Sequence, residues 1–256
     1  MLIDSHCHIN ALSSVRQAEV ISGGRDKFLF IDSSIDRNTS DVSLRLSSSH
    51  DCVYSALGFH PISLRTFDSG TLEFYEKSLD QSGKIAAIGE IGLDYKAEAT
   101  MDQQEKVLDI FLNLAMRRGL AVMLHNRMRG VERERILKNI DRVFSDYQDV
   151  IFHCFSYDAG FMEKIAGRGG YVSFSLNILR KNKDIIEALR RCPVDNLLLE
   201  SDSPYMKIGD RPSTPLDVGL VYEFAAQVRG TTPQELENKV EANARRAFKI
   251  IGRNRA

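Results

Sequence analysis

A helix that crosses a bilayer needs about 18 or more consecutive apolar residues, and this chain has no such run. No membrane span is therefore expected. A basic segment leading into a short apolar core is also missing from the opening residues, which argues against a secretory leader. Cysteine is scarce. Cys7, Cys52, Cys154 and Cys192 stand far apart and form no Cys-x-x-Cys pair, so they read as reduced thiols in a cytoplasmic protein. Charge of one sign is lacking as well. Lys and Arg total 34 against 35 Asp and Glu, a net charge of -1. That excludes a polybasic nucleic-acid coat protein. It leaves a nuclease open, because a metal centre and a few arginines hold phosphates locally. Repeats, low-complexity tracts and linkers are absent, so residues 1–256 are expected to form a single domain.

What is present is a succession of short apolar runs: Leu2 to Cys7, Lys27 to Asp32, Val53 to Gly58, Lys84 to Ile91, Leu120 to His125, Val150 to Cys154, Tyr171 to Ser175 and Leu197 to Asp202. Most are nearly continuous rather than alternating, the mark of parallel strands buried on both faces. Helical stretches separate them. Thr100-Met101-Asp102-Gln103 is a capping box. Val107, Leu108, Phe111, Leu114 and Ala115 then share a helical face, and Gly119 is the stop. Glu132 to Val143 carries a stripe of Val131, Ile136, Ile140 and Val143 on a charged helix. Thr232-Pro233-Gln234-Glu235 is a second capping box, with proline first, from which a C-terminal helix pair is expected. Lys207 to Pro215 reads as a loop. Eight strand–connection units of this length predict an α/β fold, a closed (β/α)8 TIM barrel with its site at the C-terminal ends of the strands.

That geometry makes the histidines informative. The chain has only six. His6 and His8 end the first strand, His125 the fifth, and His153 lies near the end of the sixth. His60 lies just past the third, and only His50 looks incidental. Glu90 sits near the end of strand four and Asp202 ends strand eight. Each feature alone has a mundane reading: a packed histidine, a strand end, a turn. Their convergence on one rim does not. Six ligands exceed one tetrahedral site and suit two adjacent divalent ions. His6, His8 and Asp202 would hold one and His125 and His153 the other, with Glu90 bridging. Two cations would acidify a shared water, and Asp202 would take its proton. Glu90 and Asp202 are thus the expected catalytic carboxylates. Magnesium, manganese and zinc are the first candidates, with nickel and iron also compatible. Cys7 and Cys154, next to liganding histidines, are expected to face the other way and pack as small hydrophobes.

Several motifs resemble the TatD family of metal-dependent hydrolases, within the amidohydrolase-like barrels. They are Asp4-Ser5-His6-Cys7-His8, Gly58-Phe59-His60-Pro61, Gly89-Glu90-Ile91-Gly92-Leu93-Asp94-Tyr95, Leu124-His125-Asn126-Arg127, His153-Cys154-Phe155-Ser156, Glu200-Ser201-Asp202-Ser203-Pro204-Tyr205 and Asn243-Ala244-Arg245-Arg246-Ala247-Phe248. The resemblance implies a metal-dependent deoxyribonuclease, often a 3′-to-5′ exonuclease, with DNA or another phosphodiester as its partner and no obligate protein partner. Two stretches depart from the family pattern, Asn126-Arg127-Met128 and Arg211-Pro212-Ser213-Thr214-Pro215, both at the expected mouth. Around the metals, Arg127 and His60 are expected to meet phosphate, and Tyr205 and Tyr95 to stack on a base. Glu200 would orient a liganding histidine. An amidohydrolase or lactonase on the same binuclear site is the alternative, and a non-catalytic binding protein a third.

Overall fold

The computed structural model describes residues 1–250. The eight apolar runs become eight parallel strands that pair in sequence order. They are β1 (Leu2–Cys7), β2 (Phe28–Ser33), β3 (Val53–Leu57), β4 (Ile85–Asp94), β5 (Ala121–Arg127), β6 (Val150–Phe152), β7 (Tyr171–Phe174) and β8 (Leu197–Leu199). Helices α1 (Ser14–Gly24), α2 (Arg37–Ser49), α3 (Ser69–Gln81), α4 (Met101–Arg118), α5 (Arg135–Asp141), α6 (Ala159–Ala166) and α7 (Lys183–Arg191) follow β1 to β7 in turn. After β8 come α8 (Val218–Arg229) and α9 (Pro233–Ala247). The chain is a single-domain TIM barrel. Its core lies inside the strand ring and between ring and helices, which is why the strands carry so few polar residues.

No ladder joins β8 back to β1 among the described residues. Other bonds close that seam. Asp202 N–H donates to the His6 carbonyl at 3.0 Å and His8 N–H to the Ser203 carbonyl at 2.7 Å. The Asp4 carboxylate accepts from the N–H and hydroxyl of Ser201 at 2.9 and 2.6 Å. Between β3, β4 and β5 the strands approach closely at glycines. A Cβ on Gly58 would lie 2.4 Å from the Gly89 carbonyl carbon, and one on Gly92 would lie 1.8 Å from the His125 carbonyl oxygen.

The α4 capping box forms as expected, and Gly119 ends the helix with φ 61°. Gln104, on the inner face of α4, binds the end of β4. Its amide oxygen accepts from Asp94 N–H at 2.8 Å, and its amide nitrogen donates to the Asp94 and Ala99 carbonyls at 3.1 and 2.9 Å. Gln104→Ala removes three buried partners at once. It is expected to cost about 2–3 kcal/mol, read as a lower urea midpoint with unchanged slope.

Three expectations need correction. Val131 does not join an apolar stripe. It is 85% exposed, because residues Gly130–Glu134 wind as a 3-10 turn and α5 starts only at Arg135. The second capping box opens α9 alone, and its pair partner α8 precedes it. The loop from Lys207 to Pro215 holds a small antiparallel hairpin, β9 (Lys207–Ile208) with β10 (Arg211–Pro212). Gly209, with φ 58°, makes its turn.

Candidate metal centre

The expected site residues meet at the C-terminal rim. His6 lies in β1 and His8 just beyond it. Their Nε2 atoms are 3.0 Å apart. Glu90 sits where β4 breaks register with β5, and its N–H donates to the Ser34 carbonyl at 3.0 Å. Its two oxygens face different groups. Oε2 is 3.5 Å from His6 Nε2 and 3.6 Å from His8 Nε2. Oε1 is 2.8 Å from both His125 Nδ1 and His153 Nε2. Asp202 Oδ1 adds to the first group, 3.8 and 3.7 Å from the same nitrogens of His6 and His8. β6 and β8 are shorter than expected, so His153 and Asp202 lie beyond them on short connections. Asp202 adopts φ 52° there.

Tautomers decide what these contacts mean. His8 Nδ1 is 2.8 Å from the Ser33 carbonyl and must donate to it, which leaves a lone pair on Nε2. His125 Nε2 is 3.1 Å from Asp94 Oδ2. With the proton there, the His125 Nδ1 lone pair points straight at a carboxylate oxygen. Lone pair facing lone pair is repulsive unless a cation or a shared proton lies between them. Ligands held about 2.1 Å from one tetrahedral ion lie about 3.4 Å from each other. The His125 Nδ1 to His153 Nε2 distance is 3.4 Å, and the Oε2 contacts of His6 and His8 are close to it. This donor set fits divalent cations. His60 differs. Its Nε2 is 3.3 Å from Glu90 Oε1, near enough to be grouped with Glu90 and His125. Its Nδ1, however, accepts from Ile62 N–H at 3.1 Å, so in the neutral ring Nε2 carries the proton and is a donor.

Electrostatics couples the two groups, since His153 also stacks on His6 with ring centroids 3.9 Å apart and lies near Asp202. Burial would raise the Glu90 carboxyl, but His153, His60 and His125 outweigh it and hold it well below the usual carboxylate range. Burial likewise opposes ionisation of Asp202, and His8, His153 and His6 again prevail. Burial lowers the pKa of His6 and His60. His8 and His153 are raised despite burial, by Asp202 and Glu90 for the first and by Glu90 and Glu200 for the second.

Around this centre, Glu200 is fully buried. Its Oε1 accepts from Cys154 N–H at 2.7 Å and lies 3.5 Å from His153 Nδ1. Arg127 donates to Asp94 Oδ2 at 3.2 Å and lines the cavity above. Tyr205 packs edge-on against His8 with ring centroids 4.8 Å apart. Tyr95 is engaged elsewhere: the Arg129 guanidinium sits 4.2 Å over its ring and donates to its hydroxyl at 2.8 Å. Cys7 packs in the core as expected. Cys154 does not turn away. β6 ends at Phe152 and Cys154 adopts φ 44°, so strand alternation is lost and the residue lines the cavity.

Asp94 is the functional residue that sequence reasoning missed. It holds His125 and Arg127 together, and the period-two series Glu90, Gly92, Asp94 was the available signal. Asp94→Asn is expected to lower metal affinity about 10- to 100-fold, measured by competition with a chelating dye.

A cavity of about 850 Å³ opens above these groups. Barrel, rim placement and donor set together define a metal-dependent hydrolase. The chain belongs to the TatD related DNase family, whose model matches residues 3–249. It is 28% identical over 252 residues to a metal-dependent hydrolase of Methanocaldococcus jannaschii, covering 96% of each chain. It is 27% identical to the 3'-5' ssDNA/RNA exonuclease TatD of Salmonella typhimurium, covering 83% of this chain and 84% of that one. The crystal structure of the TatD homologue YjjV from Escherichia coli superposes with a TM-score of 0.88 at 24% identity, covering 98% of both chains.

Proposed function

We propose that this hydrolase is a phosphodiesterase acting on nucleic-acid ends, a 3′-to-5′ deoxyribonuclease with two divalent ions. His6, His8 and Asp202 would hold one, His125 and His153 the other, and Glu90 would offer a carboxylate oxygen to each. The observation that carries this reading is the division of Glu90, with Oε2 beside His6 and His8 and Oε1 beside His125 and His153. When bound, such ions supply Lewis acidity toward phosphoryl oxygens and acidify a water.

The side chains do the rest. Asp202 stays ionised despite burial and accepts the proton of the attacking water. His60, neutral with its proton on Nε2, donates to a phosphate or leaving oxygen. Arg127, half-exposed above Asp94, neutralises phosphate charge. Glu200 orients His153, and Tyr205 offers a ring edge and face to a base. The nucleic-acid assignment draws on the Salmonella relative. Against a lactonase or amidohydrolase bridged by a carboxylated lysine, β4 contains no lysine, and Glu90 would take the bridging role. Four unpaired cysteines suit the cytoplasm. No described helix is long and apolar enough to cross a membrane.

The test is a turnover screen on chelator-stripped protein with added magnesium, manganese or zinc. Substrates are end-labelled single- and double-stranded DNA, bis(p-nitrophenyl) phosphate, simple esters and lactones. Metal-restored phosphodiester cleavage is expected. Ester or lactone turnover with no phosphodiester cleavage overturns the reading.

A further inference from the structure

The cavity above the centre has two unlike walls. Ile35, Ile62 and Tyr205 form an apolar side, with Ile62 63% and Tyr205 56% exposed. Ser156, Asn177, Arg180 and Asn182 form a polar side, on the connections after β6 and β7. None of these four takes part in the centre described above.

Arg180 ends a 3-10 turn after β7. Its guanidinium lies 4.0 Å from Met206 Sδ, on the neighbouring connection after β8. Of the two arginines that line the cavity, Arg127 is paired with Asp94. Arg180 makes no ion pair among the described residues, and neither do Lys181 and Lys183 beside it. Below, Asn177 is 6% exposed. Its Nδ2 donates to the Phe155 carbonyl at 3.1 Å, while its Oδ1 has no partner. Buried acceptors are rarely left unpaired. An unpaired acceptor under an unpaired guanidinium marks a place where a hydrated ligand completes the bonding.

The pairing of walls indicates the ligand. A base stacks on exposed apolar and aromatic side chains. A guanidinium binds phosphate through a planar fork of donors. A single phosphodiester needs only the metal centre, whereas a strand end also presents a second phosphate and a base. Resting on the phosphodiesterase reading above, we propose that Arg180, flanked by Lys181 and Lys183, seats a backbone phosphate next to the one cleaved. The centre then selects strand ends over isolated phosphodiesters.

The experiment compares wild type, Arg180→Gln and Arg190→Gln. The last removes an equal charge from α7, where Arg190 pairs with Glu187. Substrates are a single-stranded oligonucleotide and bis(p-nitrophenyl) phosphate. Binding of a fluorescein-labelled oligonucleotide is followed by anisotropy across a salt series. Arg180→Gln is expected to raise KM for the oligonucleotide about tenfold. Its loss of kcat/KM there should exceed the loss on the small diester by a similar factor. The salt slope of binding should become shallower by about one. Arg190→Gln should bind the oligonucleotide as wild type does. Equal losses on both substrates, or no loss on the oligonucleotide, overturn the proposal and leave the phosphodiesterase standing. A wild type that cleaves only the small diester overturns the proposal in the same way. A wild type that cleaves neither substrate overturns both readings.

Discussion

Glu90→Gln is expected to reduce turnover at least about a thousandfold while leaving the thermal midpoint of the metal-free protein near that of the metal-free parent. The substitution keeps shape and volume, so packing around β4 is preserved. It replaces one oxygen by an NH2 group and removes the charge. Glu90 now offers one oxygen to His6 and His8 and the other to His125 and His153. A glutamine satisfies one group and turns N–H bonds toward the other, where no cation is then tolerated. Metal content by plasma mass spectrometry should fall along with activity. A Glu90→Gln protein with parental turnover would sink the bridging role.

Gly92→Ala should produce the largest loss of stability of any single methyl addition considered. The new Cβ would stand 1.8 Å from the His125 carbonyl oxygen. Neither atom can swing away, because one is backbone of β4 and the other backbone of β5. The strands must part, and His125 moves with β5. The expected cost is about 3–5 kcal/mol, a drop in melting temperature of about 10 °C. Gly119→Ala is the comparison. Nothing lies within 4 Å of its added Cβ, so only the left-handed backbone is penalised, by about 1 kcal/mol. Similar melting temperatures for the two variants would contradict the close-approach account.

The strand ring was legible because each strand is buried on both faces, and burial writes itself as an apolar run. The rim followed, because the C-terminal ends of those runs are rich in histidine and carboxylate. Asp94 was less visible. Its role depends on a contact with His125 on the next strand, a pairing set by the register between β4 and β5. Cys154 was misjudged for a related reason. Alternation holds only while the strand lasts, and β6 is three residues long. The proton positions that separate His60 from His125 depend on the Ile62 N–H and the Asp94 carboxylate. No spacing of residue types encodes them.

The open seam between β8 and β1 bears on how the molecule comes together. His6 and His8 belong to the first residues of the chain, and Asp202 to its last quarter. They meet where, among the described residues, the ring has no strand ladder, and Asp4, Ser201 and two backbone bonds do the lacing. A ribosome therefore releases the first two imidazoles long before their carboxylate exists. A cation that binds all three acts as a clasp on the finished ring, and its affinity adds to the stability of the closed form over the open one. Occupancy of that group would then report whether the barrel has shut.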